Sequence, residues 1–76
     1  MFKEKTVLIT GGTGSLGTAL TKRLLELDPK TIRIFSRNES KQIEMESSFD
    51  DDRLRFFVGD VRDSERLFSA LEDVDI

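Results

Sequence analysis

A cluster of glycines between a strand pattern and a helix pattern constrains the fold of this chain more than any other feature. Residues 6–10, Thr-Val-Leu-Ile-Thr, are β-branched or apolar throughout, which is typical of a strand buried on both faces. Residues 10–17 read Thr-Gly-Gly-Thr-Gly-Ser-Leu-Gly, and apolar residues then recur at helical spacing. The order of strand, glycine turn and helix predicts the first half of a βαβ unit.

The spacing of the glycines indicates a site for a dinucleotide. Gly12, Gly14 and Gly17 fit G-x-G-x-x-G, and Gly11, Gly14 and Gly17 fit the looser G-x-x-G-x-x-G. The early glycines allow the tight turn, Gly14 lets the backbone approach a pyrophosphate, and Gly17 lets helix and strand pack closely. The N–H groups at the helix N-terminus then form a cradle for an anion.

The glycine turn has two other interpretations. It could serve chain reversal alone, although its position between strand and helix favours the nucleotide site. It could also be a P-loop, the other phosphate-binding glycine turn. That interpretation fails because Thr18 and Ala19 follow Gly17 where a P-loop has Lys and Ser or Thr.

The rest of the chain continues the alternation of strands and helices. Strands are predicted at residues 31–36 and 54–58, and helices at residues 39–49 and from Asp63, which can cap its helix. The first helix is expected to stop at Asp28-Pro29. Residues 74–76 look like the start of a fourth strand. The predicted fold class is α/β, the N-terminal half of a Rossmann-type doubly wound parallel sheet, in the order β-α-β-α-β-α with the start of a fourth strand.

Apolar spacing also predicts which side chains face the core. The expected buried faces are Leu16, Ala19, Leu20, Leu24 and Leu27 in the first helix, Ile43, Met45 and Phe49 in the second, and Leu67, Phe68, Ala70 and Leu71 in the third. Phe56 and Phe57 are expected in the core as well. Half a sheet leaves apolar edges uncovered, so we expect residues 1–76 to be the N-terminal part of an NAD(P)-binding domain or to be completed by another chain. The alternative is a truncated product that does not fold stably.

The end of the second strand distinguishes between the two nicotinamide cofactors. An acidic residue about 20 positions after the glycine motif usually binds the ribose 2′-hydroxyl of NAD. Ser36 and Arg37 stand here instead, with Lys41 one helical turn further on. A guanidinium and a hydroxyl suit a 2′-phosphate, so the sequence predicts NADP. The alternative is that Arg37 and Lys41 are ordinary solvated charges at the start of a helix.

Asp60 and Val61 follow the third strand at the carboxyl edge of the sheet, where ligands bind in open α/β folds. Asp60 could accept a hydrogen bond from an adenine amino group while Val61 packs against the ring. Asp60 could equally stabilise a turn, and the residues alone leave the two interpretations open. The triplet Asp50, Asp51 and Asp52 is interpreted as a solvated loop, because three consecutive residues cannot all converge on one cation.

Composition narrows the chemistry that the chain can perform. The 76 residues include no Cys, His or Tyr, so thiolate and imidazole metal ligands and the usual general bases are missing, and neither a catalytic residue nor a metal site is predicted. The formal charge of −3 has no basic face, which argues against a nucleic-acid partner. No apolar run is long enough to span a bilayer, so no membrane segment is expected and a cytoplasmic location is predicted.

Three motifs together resemble a known family. They are residues 10–17, residues 35–42 (Phe-Ser-Arg-Asn-Glu-Ser-Lys-Gln) and residues 55–63 (Arg-Phe-Phe-Val-Gly-Asp-Val-Arg-Asp). They resemble the N-terminus of the extended short-chain dehydrogenase/reductases, and more narrowly the polysaccharide-biosynthesis branch of UDP-N-acetylglucosamine 4,6-dehydratases. The resemblance covers essentially the whole chain. The first motif is shared across the superfamily, and the other two in combination are more specific.

The resemblance implies a set of cofactor contacts. It implies that Thr13, Gly14, Ser15 and Leu16 contact the pyrophosphate, that Ser36, Arg37, Asn38, Glu39, Ser40 and Lys41 surround the 2′-phosphate of NADP, and that Asp60 and Val61 hold the adenine. Asn38 stands where similar enzymes usually have Asp, which removes a negative charge near the phosphate. Leu16 stands where many relatives have Phe.

The resemblance also implies an activity for the larger protein. NADP takes a hydride from C4 of the hexose, a base removes the C5 proton, water leaves from C6, and the hydride returns to C6. The product is a 4-keto-6-deoxy sugar nucleotide. The catalytic Tyr-x-x-x-Lys of such enzymes lies beyond residue 76. This segment is therefore expected to bind the cofactor, and the rest of the protein is expected to bind the UDP-sugar. The full-length protein is expected to be a homo-oligomer. An epimerase or reductase of the same superfamily and a non-catalytic NADP-sensing module are the alternatives.

Overall fold

A computed structural model describes residues 2–76 and confirms the predicted alternation of strands and helices. The elements are β1 (Thr6–Thr10), α1 (Ser15–Leu25), β2 (Thr31–Ser36), α2 (Glu39–Phe49), β3 (Leu54–Val58) and α3 (Ser64–Leu71). All three strands and α2 have the predicted bounds, and the Asp63 side chain caps α3 by accepting a hydrogen bond from the backbone N–H of Arg66. Each helix in this part of the chain is too short or too polar to cross a lipid bilayer.

The three strands form a parallel sheet in the order β1-β2-β3, with Thr6 opposite Thr31 and Ile32 opposite Leu54. Residues 74–76 extend this order beyond the free edge of β1. The backbone N–H of Ile76 donates to the carbonyl of Thr6 at 3.2 Å, and the N–H of Leu8 donates to the carbonyl of Ile76 at 2.9 Å. This is the bonding pattern of a parallel neighbour. The segment is too short to be a regular strand, but it lies where the predicted fourth strand belongs.

Helices pack on both faces of the sheet, as a doubly wound fold requires. One face forms the apolar core, in which strand residues meet Leu24 of α1 and Met45 of α2; the strand residues are Val7, Ile9, Ile32, Ile34 and Leu54. The side chain of Arg33 points to the opposite face, because neighbouring residues of a strand alternate. Its guanidinium donates to the backbone carbonyls of Ala70 and Glu72, which places the end of α3 on that face.

The predicted end and buried face of α1 are both wrong in part. The helix ends at Leu25, three residues before Asp28, which adopts a left-handed conformation with φ 55° ahead of Pro29. The buried stripe is Gly17, Thr21 and Leu24, whereas the predicted Leu16, Ala19, Leu20 and Leu27 are exposed. Gly17 brings the helix close to the turn, so the side chain one turn later is buried too. The Thr21 hydroxyl tolerates burial because it donates to the carbonyl of Gly17 at 2.8 Å.

The other two helices also bury fewer apolar residues than predicted. In α2 the predicted Ile43 is exposed, and the polar Gln42 is buried together with Met45. In α3 the small Ala70 is fully buried, so the helix lies close to the sheet there. Phe68, predicted to be a core residue, is 73% exposed, and Leu71 is exposed as well. The predicted core residues Phe49, Phe56 and Phe57 are half-buried.

Candidate functional site

The glycine turn joins the core to the carboxyl edge of the sheet. Gly11 has φ +65°, a conformation that residues with a side chain rarely adopt. A Cβ atom on Gly17 would lie 2.5 Å from the Cα of Gly12, so the close helix–turn contact requires glycine there. Gly14 differs, because its nearest neighbour would be the carbonyl oxygen of Gly11 at 3.7 Å. The fold itself therefore leaves room for a side chain at Gly14.

The N-terminus of α1 is not capped by a side chain. Its N-cap is Gly14, and its first backbone hydrogen bond runs from Thr18 N–H to the Gly14 carbonyl at 2.9 Å. In contrast, Asn38 caps α2 by accepting from the N–H of Lys41 at 3.0 Å, and Asp63 caps α3 in the same way. Among the three helices of residues 2–76, α1 alone thus presents its first N–H groups without a side-chain acceptor.

An open cleft of about 700 Å³ lies beside this helix end, at the carboxyl ends of the strands. It brings together seven of the predicted site residues, namely Gly11, Thr13, Ser36, Arg37, Asn38, Asp60 and Val61. Sequence reasoning missed four residues that line the same cleft: Thr10, Phe35, Gly59 and Arg62. Thr10, Phe35 and Gly59 stand next to predicted site residues at strand ends, so their position in the sequence was the available signal.

The remaining predicted site residues lie outside the cleft. Gly14, Ser15, Leu16 and Gly17 belong to the turn and first turn of α1, and Glu39 and Ser40 belong to the first turn of α2. Lys41 lines a neighbouring cleft of about 190 Å³, between α1 and α2, to which Thr13 also contributes. Thr13 therefore borders both clefts. The assignment of all these residues to a cofactor stays a prediction.

Two arginines surround the Asp60 carboxylate. The side chain of Arg62 donates to it, with Nη2 2.8 Å from Oδ2, and the backbone N–H of Arg62 donates to Oδ1 at 2.9 Å. Arg37 reaches the same carboxylate, with 3.6 Å between its Nη1 and Oδ2. The hydrogen bonds from Arg62 hold the pKa of Asp60 well below its usual range, with a smaller contribution from the charge of Arg37. The turn role weighed for Asp60 therefore has direct contacts in the structure, and its adenine role stays a prediction.

The Ser36 hydroxyl accepts a hydrogen bond from Gln42, a residue that sequence reasoning did not select. The buried amide of Gln42 donates from Nε2 to the Ser36 hydroxyl oxygen at 2.9 Å and to the Phe57 carbonyl at 2.9 Å. It thereby links α2 to the ends of β2 and β3. A polar residue on an otherwise weak helix pattern was the only sequence signal for it.

The acidic triplet lies at the opposite end of the sheet. Asp51 accepts hydrogen bonds from the backbone N–H and the guanidinium of Arg53, with 2.8 Å between Oδ2 and Nη2. The side-chain hydrogen bond from Arg53 lowers the pKa of the Asp51 carboxyl below its usual value. Within residues 2–76 no group of three acidic side chains is arranged to hold a metal ion.

The family relationship is visible in the sequence. Residues 7–76 match the family model described as "Polysaccharide biosynthesis protein". The UDP-N-acetylglucosamine 4,6-dehydratase (inverting) of Campylobacter jejuni is 57% identical over 76 residues, which are 99% of this chain and 23% of that enzyme. The UDP-glucose 4-epimerase of Rickettsia bellii is 47% identical over 79 residues, with the same two coverages. The chain thus spans less than a quarter of the length of these relatives.

Solved structures share the fold. The structure of Pen from Bacillus thuringiensis is 43% identical and superimposes with a TM-score of 0.94 over 99% of this chain and 23% of that protein. The Bordetella bronchiseptica enzyme WbmF in complex with NAD+ and UDP is 27% identical, with a TM-score of 0.79 over 97% of this chain and 22% of WbmF. With its glycine turn, parallel sheet and matching relatives, the chain belongs to the polysaccharide biosynthesis protein family, within the extended short-chain dehydrogenase/reductases.

Proposed function

We propose that this chain is the cofactor-binding segment of an NADP-dependent sugar-nucleotide 4,6-dehydratase. The observation that carries the proposal is the uncapped N-terminus of α1 beside the cleft, because free N–H groups at a helix end are suited to a pyrophosphate. Gly14 leaves the approach to these groups open. Residues 1–76 then form the N-terminal part of the NAD(P)-binding domain, and the catalytic and sugar-binding parts come from elsewhere in the protein.

The charges at the end of β2 support NADP over NAD. Ser36 and Arg37 line the cleft where NAD-binding sites of this type usually have a carboxylate. Arg37 is 74% exposed, so its guanidinium has room to turn towards a phosphate. Lys41 and Thr13 both line the neighbouring cleft, so Lys41 adds a positive charge on the side of the glycine turn. NAD is the alternative cofactor, since the similar WbmF structure is a complex of that enzyme with NAD+ and UDP.

The proposed reaction is that of the Campylobacter jejuni relative, a UDP-N-acetylglucosamine 4,6-dehydratase. The bound nicotinamide supplies hydride chemistry at the sugar, and this segment supplies the site that positions the cofactor. We further propose that the protein acts on a UDP-sugar in polysaccharide or glycan synthesis, as a cytoplasmic homo-oligomer. Epimerisation at C4 is a second candidate because of the Rickettsia bellii relative.

Cofactor titration of the full-length protein that contains this segment tests the proposal. We expect the wild type to bind NADP more tightly than NAD, and Arg37→Ala to weaken NADP about ten-fold with little effect on NAD, because only NADP carries the 2′-phosphate. Arg23→Ala is a matched control, since Arg23 is 73% exposed and lies on α1 outside the cleft. Equal affinities of the wild type for NADP and NAD would contradict the cofactor assignment.

Product analysis separates the candidate activities. A dehydratase converts UDP-N-acetylglucosamine to a 4-keto-6-deoxy product with loss of water, whereas an epimerase gives an isomer of unchanged mass. Mass spectrometry of the product formed by the full-length protein distinguishes the two activities. NADP binding without conversion of any UDP-sugar would instead support a non-catalytic NADP-sensing module.

A further inference from the structure

Gln42 is a buried polar side chain that joins α2 to the ends of two strands. It is 3% exposed, and its Nε2 atom lies 2.9 Å from both the Ser36 hydroxyl oxygen and the Phe57 carbonyl oxygen. A backbone carbonyl can only accept a hydrogen bond, so the amide group facing Phe57 must be the NH₂ group. Both of its protons are therefore donated, one to Phe57 and one to Ser36.

This arrangement fixes the orientation of the Ser36 hydroxyl group. A serine hydroxyl has one proton to donate and lone pairs to accept. Because the oxygen of Ser36 accepts from Gln42, its own proton has to point away from the Gln42 amide. Ser36 is itself buried apart from the part that lines the cleft beside Arg37. The cleft is therefore the open side from which a bound group can accept this proton.

We propose that Gln42 is a positioning residue for cofactor specificity, which makes Ser36 a hydrogen-bond donor to a phosphate oxygen in the cleft. This inference rests on the proposed NADP function. A phosphate oxygen only accepts hydrogen bonds, whereas a ribose hydroxyl both donates and accepts and can adapt to either orientation of Ser36. Bonds to a charged group are also stronger than bonds between neutral groups. Fixing Ser36 as a donor therefore favours NADP over NAD.

The test is the ratio of NADP to NAD affinity, measured by titration of the full-length protein that contains this segment. We expect Gln42→Met to lower NADP affinity about ten-fold and NAD affinity less than about two-fold, because a bond to a charged group is weakened. Ser36→Ala should give a similar change. In the Ser36→Ala background, Gln42→Met should cause no further change in the ratio, because Gln42 acts on the phosphate only through Ser36.

Met45→Ala is the structural control. Met45 is buried on the same helix and belongs to the apolar core, so its truncation should lower the melting temperature and leave the affinity ratio unchanged. This separates specificity from general loosening of α2. Should Gln42→Met lack the wild-type circular dichroism spectrum, Gln42→Leu is used instead. Its side chain places no second acceptor against the Phe57 carbonyl and donates nothing to Ser36, so the same loss of NADP affinity is expected.

The possible failures are distinguishable. A wild type without preference for NADP overturns the proposed function and this inference with it. A wild-type preference that Ser36→Ala reduces and the Gln42 variants leave intact overturns the role of Gln42 alone. An equal drop in the ratio from Gln42→Met in the wild-type and Ser36→Ala backgrounds also overturns it, because Gln42 would then act by another route.

Discussion

Arg37 and Asp60 form an ion pair in the lining of the cleft, with 3.6 Å between the Nη1 atom of Arg37 and the Oδ2 atom of Asp60. Arg37 follows β2 and Asp60 follows β3, and the ends of neighbouring parallel strands lie at the same edge of a sheet. Sequence reasoning assigned the two residues to different parts of the nucleotide, Arg37 to the 2′-phosphate and Asp60 to the adenine. If both assignments hold, their ion pair couples them, because the carboxylate offsets part of the positive charge that Arg37 would offer to a phosphate.

Replacing Asp60 by Asn should therefore strengthen the preference for NADP. The change removes one negative charge near Arg37 and keeps the size of the side chain. We expect the ratio of NADP to NAD affinity to rise about three-fold, a magnitude set by the small energies of exposed ion pairs. The effect should shrink at high salt, which screens exposed charges. Parallel NADP and NAD titrations at two salt concentrations measure it.

Glu26→Gln is the matched control for Asp60→Asn. Glu26 also forms an exposed ion pair, with Arg23 at 2.7 Å, but at the end of α1 remote from the cleft. It should leave the ratio unchanged. An equal loss of affinity for both cofactors in Asp60→Asn would show that Asp60 acts on the adenosine they share, against the ion-pair interpretation.

The strands and their order could be predicted from the sequence, and the buried helix faces could not. Runs such as residues 6–10 are apolar enough to specify a strand without knowledge of their neighbours. Thr21 and Gln42 are polar, yet both are buried because each has a hydrogen-bond partner, Thr21 in the preceding turn of its own helix and Gln42 at the ends of β2 and β3. Apolar periodicity contains no information about such partners. It therefore selected Leu20 and Ile43, which are exposed.

The lining of the candidate cleft could be predicted at the level of the strand ends, and less well at the level of individual side chains. Arg37 lines the cleft as expected, because its position follows directly from the end of β2. Helical spacing groups Lys41 with Arg37, but the orientation of α2 places Lys41 in the lining of the neighbouring cleft. Arg62 was missed because its contact depends on the turn that its backbone N–H forms with Asp60. Turn geometry of this kind follows from the folded backbone.

The two glycines Gly14 and Gly17 should differ in what they contribute. A Cβ atom fits at Gly14, and a serine there would supply the side-chain cap that α1 lacks. Gly14→Ser should leave the free energy of unfolding within about 0.5 kcal/mol of the wild type, since glycine and serine differ little at this helix position. On the proposed function it should nevertheless weaken NADP and NAD binding about ten-fold or more, because the new oxygen would accept from the N–H groups that we propose bind the pyrophosphate.

Gly17→Ala is the complement of that variant. Its Cβ atom would lie 2.5 Å from backbone atoms of Gly12, so the helix or the turn has to move. We expect the free energy of unfolding to fall by about 3 kcal/mol, as in other overpacked sites. Urea unfolding of both variants and cofactor titration of Gly14→Ser provide the comparison. Unchanged cofactor affinity in Gly14→Ser would mean that no pyrophosphate approaches this backbone.

Arg33 should contribute more to the free energy of unfolding than Arg55, its partner on the adjacent strand. The guanidinium of Arg33 donates to the carbonyl of Ala70 at 3.0 Å and to that of Glu72, at the C-terminal end of α3, where a positive charge also favours the helix dipole. It lies 5.8 Å above the ring of Phe57 as well.

Replacing Arg33 by Met keeps the apolar stem and removes these bonds. We expect the free energy of unfolding to fall by about 2 kcal/mol, since the carbonyls lose a charged donor. Hydrogen exchange should accelerate first in α3, which loses its anchor to the sheet. Arg55→Met is the control, because Arg55 lies opposite Arg33 in the register of β2 and β3 but is exposed and bonds only to nearby backbone. It should change stability by less than about 0.5 kcal/mol. Equal losses in the two variants would show that the anchoring of α3 does not depend on Arg33.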